Sequence, residues 1–314
     1  MTRYVAKRIL MSVLTLFLII FVLFVLIRIM PGNPFPVERM SAEMILQKRA
    51  ELGLDKPILT QFVDYLSLLA SGSFGNGTSL YNGAPIKPIM FACLENSFKV
   101  GVLSILFGTT VGLGLGITAA LNRGKFLDGL CTVISILGVC IPSYVFMIFL
   151  QYFFAYKIPC FPYFFDPSRF LTSAIMPSLS LSLFSISAVA RFTRNEMLEV
   201  INSDYVKLAE AKGLYGFELM RRHVLRNALI PVVTVIAPLV VDLLTGAMVI
   251  EKIYGINGAG SLMVSAIAGD GVDYNYVLAL GIVFSALYIG VMLLLDILYG
   301  IIDPRIRLAA KEVA

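Results

Sequence analysis

Six stretches of this chain run for 19 residues or more with at most one Asp, Glu, Lys or Arg among them. A helix of about 20 apolar residues is what it takes to cross the hydrocarbon of a bilayer. The stretches are 9–27, 100–122, 129–156 (with Pro142 inside), 170–190, 228–250 (interrupted by Asp242) and 274–295. Composition agrees: 58% of residues are hydrophobic and 14% charged, against roughly 25% charged in an average soluble domain. Mean hydropathy is +0.87. A water-soluble fold must clothe its exterior in polar groups and does not use this much apolar surface. Disorder is excluded on the same grounds, and four cysteines in 314 residues exclude a disulfide scaffold. The expectation is an all-α polytopic membrane protein with six transmembrane helices.

The first stretch follows Arg3, Lys7 and Arg8 and so has the basic start of a signal peptide. Its apolar run exceeds the usual 7–15 residues, and no small-x-small cleavage site follows. Instead comes Pro31-Gly32-Asn33-Pro34, a rigid exit turn, so the segment is expected to stay as a helix.

The net charge of +5 is read through its distribution. With the N-terminus inside, inner segments hold 15 Lys and Arg, seven of them between the fourth and fifth spans, and the short outer loops hold three: Lys157, Arg169 and Lys252. The excess of cations marks the cytoplasmic side, which puts both termini in the cytoplasm. The long outer segment is a poor witness to that rule. It is expected to form a helical cap over about 30–96, with Ser41 capping a helix to about Leu52 and Pro57 opening another to Leu69. Gly72, Gly75, Gly77 and Gly83 then break regular structure.

The inner segment after the fourth span carries the most information. Ser203 or Asn202 is a suitable N-cap, Asp204 suits the positive end of a helix dipole, and Gly213 suits a terminator. A short helix over about 204–212 is expected, with Tyr205, Leu208, Ala209 and Lys212 on one face. Such a surface fits the groove of another protein or rests on anionic lipid through its cations. A basic helix over about 217–227 leads back to the membrane at Pro231.

No G-x-x-x-x-G-K-[ST] phosphate loop, H-E-x-x-H or G-x-S-x-G occurs, and the single His223 cannot build a zinc site. Gly108, Gly112 and Gly116 recur every four residues, the pattern of a close-packing helix face. The cysteines form no C-x-x-C pair. Cys93 and Cys160 both fall outside, where topology permits a bridge, but free thiols are the expectation. Asp242 and Asp296 are the ionisable residues within spans, and such residues are candidates for a pathway or for helix pairing.

Eight strings in order complete the reading: "RYVAKRIL", "PGNPF", "LGLDKPILTQFVDYL", "ARFTRNEMLEV", "DYVKLAEAKGL", "RRHVLRNALIPVV", "GAMVIEKIYGINGAGSL" and "IIDPRIR". Almost end to end, the chain resembles the permease subunits of ATP-binding cassette importers, in the oligopeptide/dipeptide branch and most closely its B-type subunits. In that family the inner loop is a coupling loop with an EAA…G pattern. Here Ala209 and Gly213 match it, Lys207 and Leu208 replace Glu and Ala, and Pro231 follows Gly213 by eighteen residues rather than thirteen.

The resemblance implies a single permease domain over 1–314, with helices at about 9–29, 98–122, 129–156, 171–193, 229–250 and 275–299 and a coupling loop at about 196–228. It implies a chain with no catalytic residues, metal or cofactor of its own, ATP and Mg being bound by two cytoplasmic partner subunits. The other implied partners are a second permease subunit, an extracytoplasmic peptide-binding protein, the peptide and membrane lipid. Tyr205, Lys207, Ala209, Ala211, Lys212 and Gly213 become the ATPase-coupling residues. Asp242, Phe146, Phe149, Tyr152 and Phe153 become candidates for the translocation pathway, against a plain packing or lipid-contact role for the aromatics. Dipeptides, nickel complexes or oligosaccharides remain alternative cargoes, and a self-contained secondary transporter is the rival from another class.

Overall fold

The computed structural model describes residues 2–30, 35, 41–244, 248–268 and 272–302. The exit turn at 31–34, the first two residues of the GAMVI string and the C-terminal cations Arg305, Arg307 and Lys311 lie outside the described residues. Within them the chain is helical, with no strand and one isolated bridge, Asn76 to Pro85. It divides into two compact units, residues 1–96 with 257–314 and residues 97–256.

The first unit holds α1 (Thr2–Ile29), α2 (Ala42–Glu51) and α3 (Ile58–Ala70). It continues into the opening turns of α4 (Ile86–Leu121). Ser41 caps α2 by accepting from the Met44 amide at 3.3 Å. Gly72, Gly75 and Gly83 take φ of +76°, +80° and +79°, the left-handed region that glycine enters without a Cβ penalty. The fourth breaker, Gly77, is needed for a different reason: a Cβ there would lie 2.6 Å from the Leu80 carbonyl oxygen. The cap is shorter than its expected span of 30–96, because α4 begins twelve residues ahead of the expected 98. Its first turns bury Ile86 and Met90 against neighbours, so packing extends the helix beyond its uncharged run.

Phe62 of α3 anchors the cap to α1, taking the rings of Phe17, Phe21 and Phe24 edge-on at 5.9, 5.1 and 5.4 Å. The later helices of this unit are α12 (Ala259–Ala268) and α13 (Tyr274–Ile302), with the seven helices α5 to α11 of the second unit falling between in sequence. Ile86 and Met90 pack on Leu262 and Ala266 of α12 and on Tyr276 and Leu280 of α13. Arg8 near the start of α1 pairs with Asp296 near the end of α13 at 2.8 Å. Those two helix ends therefore share one face of the unit, and the Asp296 reading as a helix-pairing residue has a geometric basis.

A buried carboxylate ties the cap to α13. Asp273, 0% exposed, accepts on Oδ2 from the backbone amides of Thr78, Ser79 and Leu80 at 2.8, 2.8 and 2.9 Å. Its Oδ1 accepts from the Tyr276 amide at 3.2 Å, which makes it the N-terminal cap of α13 as well. Three convergent N–H groups solvate a charge that would otherwise be prohibitive to bury.

The second unit holds the rest of α4, then α5 (Phe126–Cys140), α6 (Ser143–Gln151) with a π-helical extension over Tyr152–Lys157, and α7 (Phe170–Ile201). It closes with α8 (Asp204–Ala211), α9 (Gly216–Leu219), a π-helical turn over Met220–Leu225, α10 (Arg226–Leu244) and α11 (Met248–Tyr254). The third expected span, 129–156, falls on a bent pair of helices. The chain bends by 103° between α5 and α6, with Ile141 extended at ψ 120° before Pro142. Proline disfavours helical geometry in the residue before it and has no N–H to continue the ladder. Among the described residues four helices are long and apolar enough to cross a membrane, and up to six spans result if each of two bent pairs counts as one. The other bent pair turns by 42° around Pro238.

The glycine stripe does what its spacing predicts. A Cβ at Gly112 would lie 2.8 Å from Val189 Cβ and 2.9 Å from the Ile186 carbonyl oxygen, and one at Gly116 would lie 2.6 Å from the Ala190 oxygen. α4 and α7 thus approach backbone to backbone. Gly114, off the stripe, has nothing within 4 Å. Gly112→Leu is therefore expected to lower the thermal midpoint of the detergent-solubilised chain, with a cost of about 1–3 kcal/mol or more from overpacking, while Gly114→Leu leaves it unchanged. Equal midpoints for the two variants would refute the close approach. Cys131, Cys140 and Cys160 carry free thiols.

Candidate functional site

The site is built on α8, which follows α7 after only Asn202 and Ser203. Ser203 occupies the N-cap position with φ −72° and ψ 151°, but its hydroxyl turns back to the Val200 carbonyl at 2.6 Å rather than capping α8. Asp204 sits in the first turn, where its charge favours the helix dipole, and takes Lys207 at 3.1 Å.

The other end is a Schellman closure. The Gly213 amide donates to Glu210 O at 2.9 Å and the Leu214 amide to Ala209 O at 3.2 Å. Gly213 stands at φ +89° with open space around its Cα. The helix spans 204–211 with Lys212 as its C-cap, against the expected 204–212.

Periodicity then decides which face looks inward. Val206 and Ala209 are 1% and 5% exposed. They seat α8 on Ala120 of α4, Met197 of α7, Leu219 of α9 and Val224 of the π turn. Ala209 was expected on the outward face beside Tyr205, and the structure places it beneath α8 instead. At i and i+3 it belongs with Val206, and a small side chain there lets the helix lie close to its seat. The outward face carries Tyr205, Lys207, Leu208, Ala211, Lys212 and Gly213, all exposed.

Two aromatics that the sequence reading passed over enlarge this surface. Tyr215 and Phe217 are 70% and 81% exposed and flank Gly216 at the start of α9. Large apolar side chains clustered on one exposed surface mark an interaction site more strongly than the same residues scattered singly. Their signal was available: two aromatics in a short polar loop with no apolar periodicity to bury them.

The basic helix expected over 217–227 is present as α9, the π turn and the start of α10, with Arg222 paired to Glu218 at 3.0 Å. Arg194 of α7 grips Asp128 of α5 with a two-pronged contact, Nε to Oδ1 at 2.7 Å and Nη2 to Oδ2 at 2.9 Å. The Gly124 amide adds a third donor at 3.0 Å. That fork joins the α7 end nearest α8 to the first turn of α5, and sequence reasoning missed it because the partners lie 66 residues apart.

The pathway candidates divide. Phe146 packs into the cluster that contains Leu150, Met176 and Leu243. Phe149, Tyr152 and Phe153 are half-exposed and form a run of ring contacts at 4.6 and 5.2 Å. Lys157 Nζ stands 5.8 Å from the Tyr152 ring centroid. Asp242 is on the exposed side of α10, a different helix from the aromatics. Among the described residues no cluster of His, Cys, Asp and Glu is arranged to hold a metal ion.

Comparison with known proteins follows the same outline. The family described as binding-protein-dependent transport system inner membrane component matches residues 112–308, and its N-terminal companion matches residues 1–110. The chain is 34% identical to the dipeptide transport system permease protein DppB of Lactococcus lactis subsp. cremoris, over 98% of this chain and all of that one. It is 36% identical to the oligopeptide transport system permease protein OppB of Salmonella typhimurium, again over 98% of this chain and all of that one. Among solved structures, a chain of the MetNI methionine ABC transporter, in inward-facing form, superposes with a TM-score of 0.58 at 15% identity. That match covers 70% of this chain and 99% of the other, and shows a shared fold. From its first residues to the end of α13, this chain belongs to the family of inner-membrane components of binding-protein-dependent transport systems.

Proposed function

We propose that this chain is one half of the membrane pore of an ATP-driven peptide importer, and that α8 is the element through which a cytoplasmic ATPase moves it. The observation that carries the reading is the surface of α8: a short helix closed at one end by Gly213, seated by Val206 and Ala209, with Tyr205, Leu208, Tyr215 and Phe217 left exposed. The full-length relatives named for dipeptide and oligopeptide transport supply the cargo class. The distribution of Lys and Arg supplies the orientation, with α8 and both termini cytoplasmic.

In this reading Tyr205, Lys207, Ala211 and Lys212 meet the ATPase groove, Gly213 holds the closure, and Ala209 works from beneath as part of the seat. ATP and Mg belong to two partner subunits. A second permease completes the pore, and a peptide-binding protein delivers cargo to the outer cap. Asp242 and the half-exposed aromatics Phe149, Tyr152 and Phe153 face the second permease or the pathway, with Phe146 supporting them from the core. Nucleotide binding, by favouring one ATPase arrangement, would switch the pore between its two states.

A Tyr205→Asp, Leu208→Asp double variant tests the docking. Both side chains are exposed, so the membrane-inserted amount is expected to hold. ATPase subunits recovered with the chain after gentle detergent extraction should fall at least ~10-fold, since losing a few apolar anchors costs more than the 1.4 kcal/mol that a factor of ten represents. Peptide uptake should fall with them. Wild-type recovery of the ATPases would remove α8 from the interface. A chain that is extracted alone and moves substrate on an ion gradient would overturn the importer itself.

A further inference from the structure

A cleft of about 270 Å³ opens between α4, α5 and α7 in the second unit, and none of the roles assigned above uses it. Its walls are of two kinds. Leu115 and Ala119 of α4 and Ile136 of α5 form an apolar side, while Arg191, Arg194 and Asn195 of α7 form a polar one. The three polar residues stand at i, i+3 and i+4 on one helix, which makes them neighbours on one face.

Much of their hydrogen-bonding capacity is unspent. Arg194 commits Nε and Nη2 to Asp128 and leaves Nη1 without a partner among the described residues. Arg191 and Asn195 are exposed, and neither side chain has an ion pair or hydrogen bond there. Asp128 therefore answers one of the two arginines, and the charge of Arg191 is uncompensated within the cleft. Glu196 and Glu199 follow on α7 but do not line it. Two further cations, Arg123 and Lys125, flank Gly124 in the exposed turn from α4 to α5, whose Gly124 amide reaches Asp128 at 3.0 Å. This arrangement of donors and positive charge fits an anion.

The place of the cleft along its helices narrows the choice of anion. Arg191 is the first charged residue after the 21 uncharged ones at 170–190. At 1.5 Å per residue that run is about 30 Å long, the thickness of the hydrocarbon, so Arg191 marks the end of what α7 can bury in a bilayer. Leu115 and Ala119 lie within the last two turns of the uncharged run of α4, which ends at Asn122, and the α5 wall begins just beyond Asp128. All three helices thus set the cleft where hydrocarbon gives way to headgroups. An arginine fork matches the two unesterified oxygens of a phosphodiester, and the apolar side matches the first carbons of an acyl chain. Basic pockets between membrane helices hold acidic headgroups on this principle.

We propose that this cleft binds an anionic phospholipid from the leaflet on the α8 side of the membrane. Arg191, Arg194 Nη1 and Asn195 donate to its phosphodiester, and the start of an acyl chain lies along Leu115, Ala119 and Ile136. The proposal needs a membrane-embedded chain and does not rest on the importer reading. A lipid held there would bridge α4, α5 and α7 beside the Arg194–Asp128 fork.

The test is native mass spectrometry of the full chain released from micelles doped with equal amounts of phosphatidylglycerol and phosphatidylcholine. The wild-type chain is expected to keep phosphatidylglycerol in preference to phosphatidylcholine. Arg191→Gln should weaken that retention at least ~10-fold, the loss of one or two charge-assisted hydrogen bonds. Arg191 is exposed, so the variant should melt as wild type does when no lipid is added, which separates lost binding from lost folding. Arg221→Gln removes an exposed cation of the π turn that does not line the cleft, and should keep the lipid. Phosphatidylglycerol should also raise the thermal midpoint of the wild-type chain, as a ligand of the folded state does, and inorganic phosphate at the same concentration should not. Equal retention of the two lipids, undiminished retention by Arg191→Gln, or equal losses in the variants at 191 and 221 would overturn the proposal. Equal stabilisation by inorganic phosphate would overturn it too, because the anion would then be free phosphate and the apolar side irrelevant. So would a lipid held by the chain alone but absent from the complex extracted with its partner subunits, since a protein would then cover the cleft. None of these readouts depends on peptide uptake, so the importer reading stands or falls separately.

Discussion

Asp273→Ala is expected to leave little folded chain. The substitution strips the amides of Thr78, Ser79 and Leu80 of their shared acceptor in a place where no water reaches, Asp273 being 0% exposed. At about 1–3 kcal/mol for each orphaned buried donor, the loss is about 3–6 kcal/mol or more. That is a large part of the 5–15 kcal/mol that holds a typical domain together. Asp273→Asn keeps an acceptor oxygen without the charge and should fall between the two. Gly77→Ala should resemble Asp273→Ala, because the new Cβ would lie 2.6 Å from Leu80 O and 3.2 Å from Asp273 Oδ2. The chain has no tryptophan, so the readout is the accumulated amount in membranes and the thermal midpoint by far-ultraviolet circular dichroism in detergent. A variant at 273 that accumulates and melts like wild type would show that the cap does not depend on this carboxylate.

Gly213→Val is expected to abolish uptake while leaving the protein inserted and folded. Nothing lies within 4 Å of a Cβ at this position, so the cost is purely in the backbone: a β-branched residue at φ +89° is strained by about 1–3 kcal/mol. Relief comes from opening the closure that joins Gly213 to Glu210 and Leu214 to Ala209, which frees the last turn of α8. At about 2 kcal/mol, closed helices lose roughly 30-fold to open ones. Gly213→Asn, which tolerates the left-handed region, should keep uptake within about threefold of wild type. ATP hydrolysis by the assembled complex should persist in the valine variant, unlinked from transport. Normal uptake by Gly213→Val would mean that the closure of α8 plays no part in transmitting motion.

Much of the architecture was legible because the bilayer demands long uncharged helices, and only composition is needed to see those. The glycine stripe was legible for a related reason, since a repeat of four names a helix face without naming its partner. α8 was found to within a residue from its flanking signals, Ser203, Asp204 and Gly213. Which way it faced was not, because Ala209 fits a helical stripe with Tyr205 as readily as one with Val206, and only the position of Met197 and Val224 beneath it decides. Pro142 illustrates a second limit. A proline in a long apolar run is compatible with a modest kink or a sharp break, and the 103° bend depends on how Ile141 is held. The Asp273 cradle and the Asp128–Arg194 fork were invisible for the same reason, joining positions 193–195 and 66 residues apart that no local pattern links.

The two-residue passage from α7 to α8 has a mechanical meaning. The Asn202 side chain donates to Leu198 O at 2.7 Å, and the Ser203 amide and hydroxyl donate to Val200 O at 3.0 and 2.6 Å. The passage is therefore stitched to the last turn of α7 and contains no slack. α7 itself is 32 residues long, about 48 Å at 1.5 Å per residue, well over the ~30 Å of hydrocarbon. Under the proposed coupling role, a thrust on α8 would not be absorbed in a compliant loop but would arrive at one end of a rod longer than the membrane is thick. Through Arg194 and Asp128 the same rod would carry α5 with it, so stiffness at the joint, more than strength of grip, would set how much of the stroke is delivered.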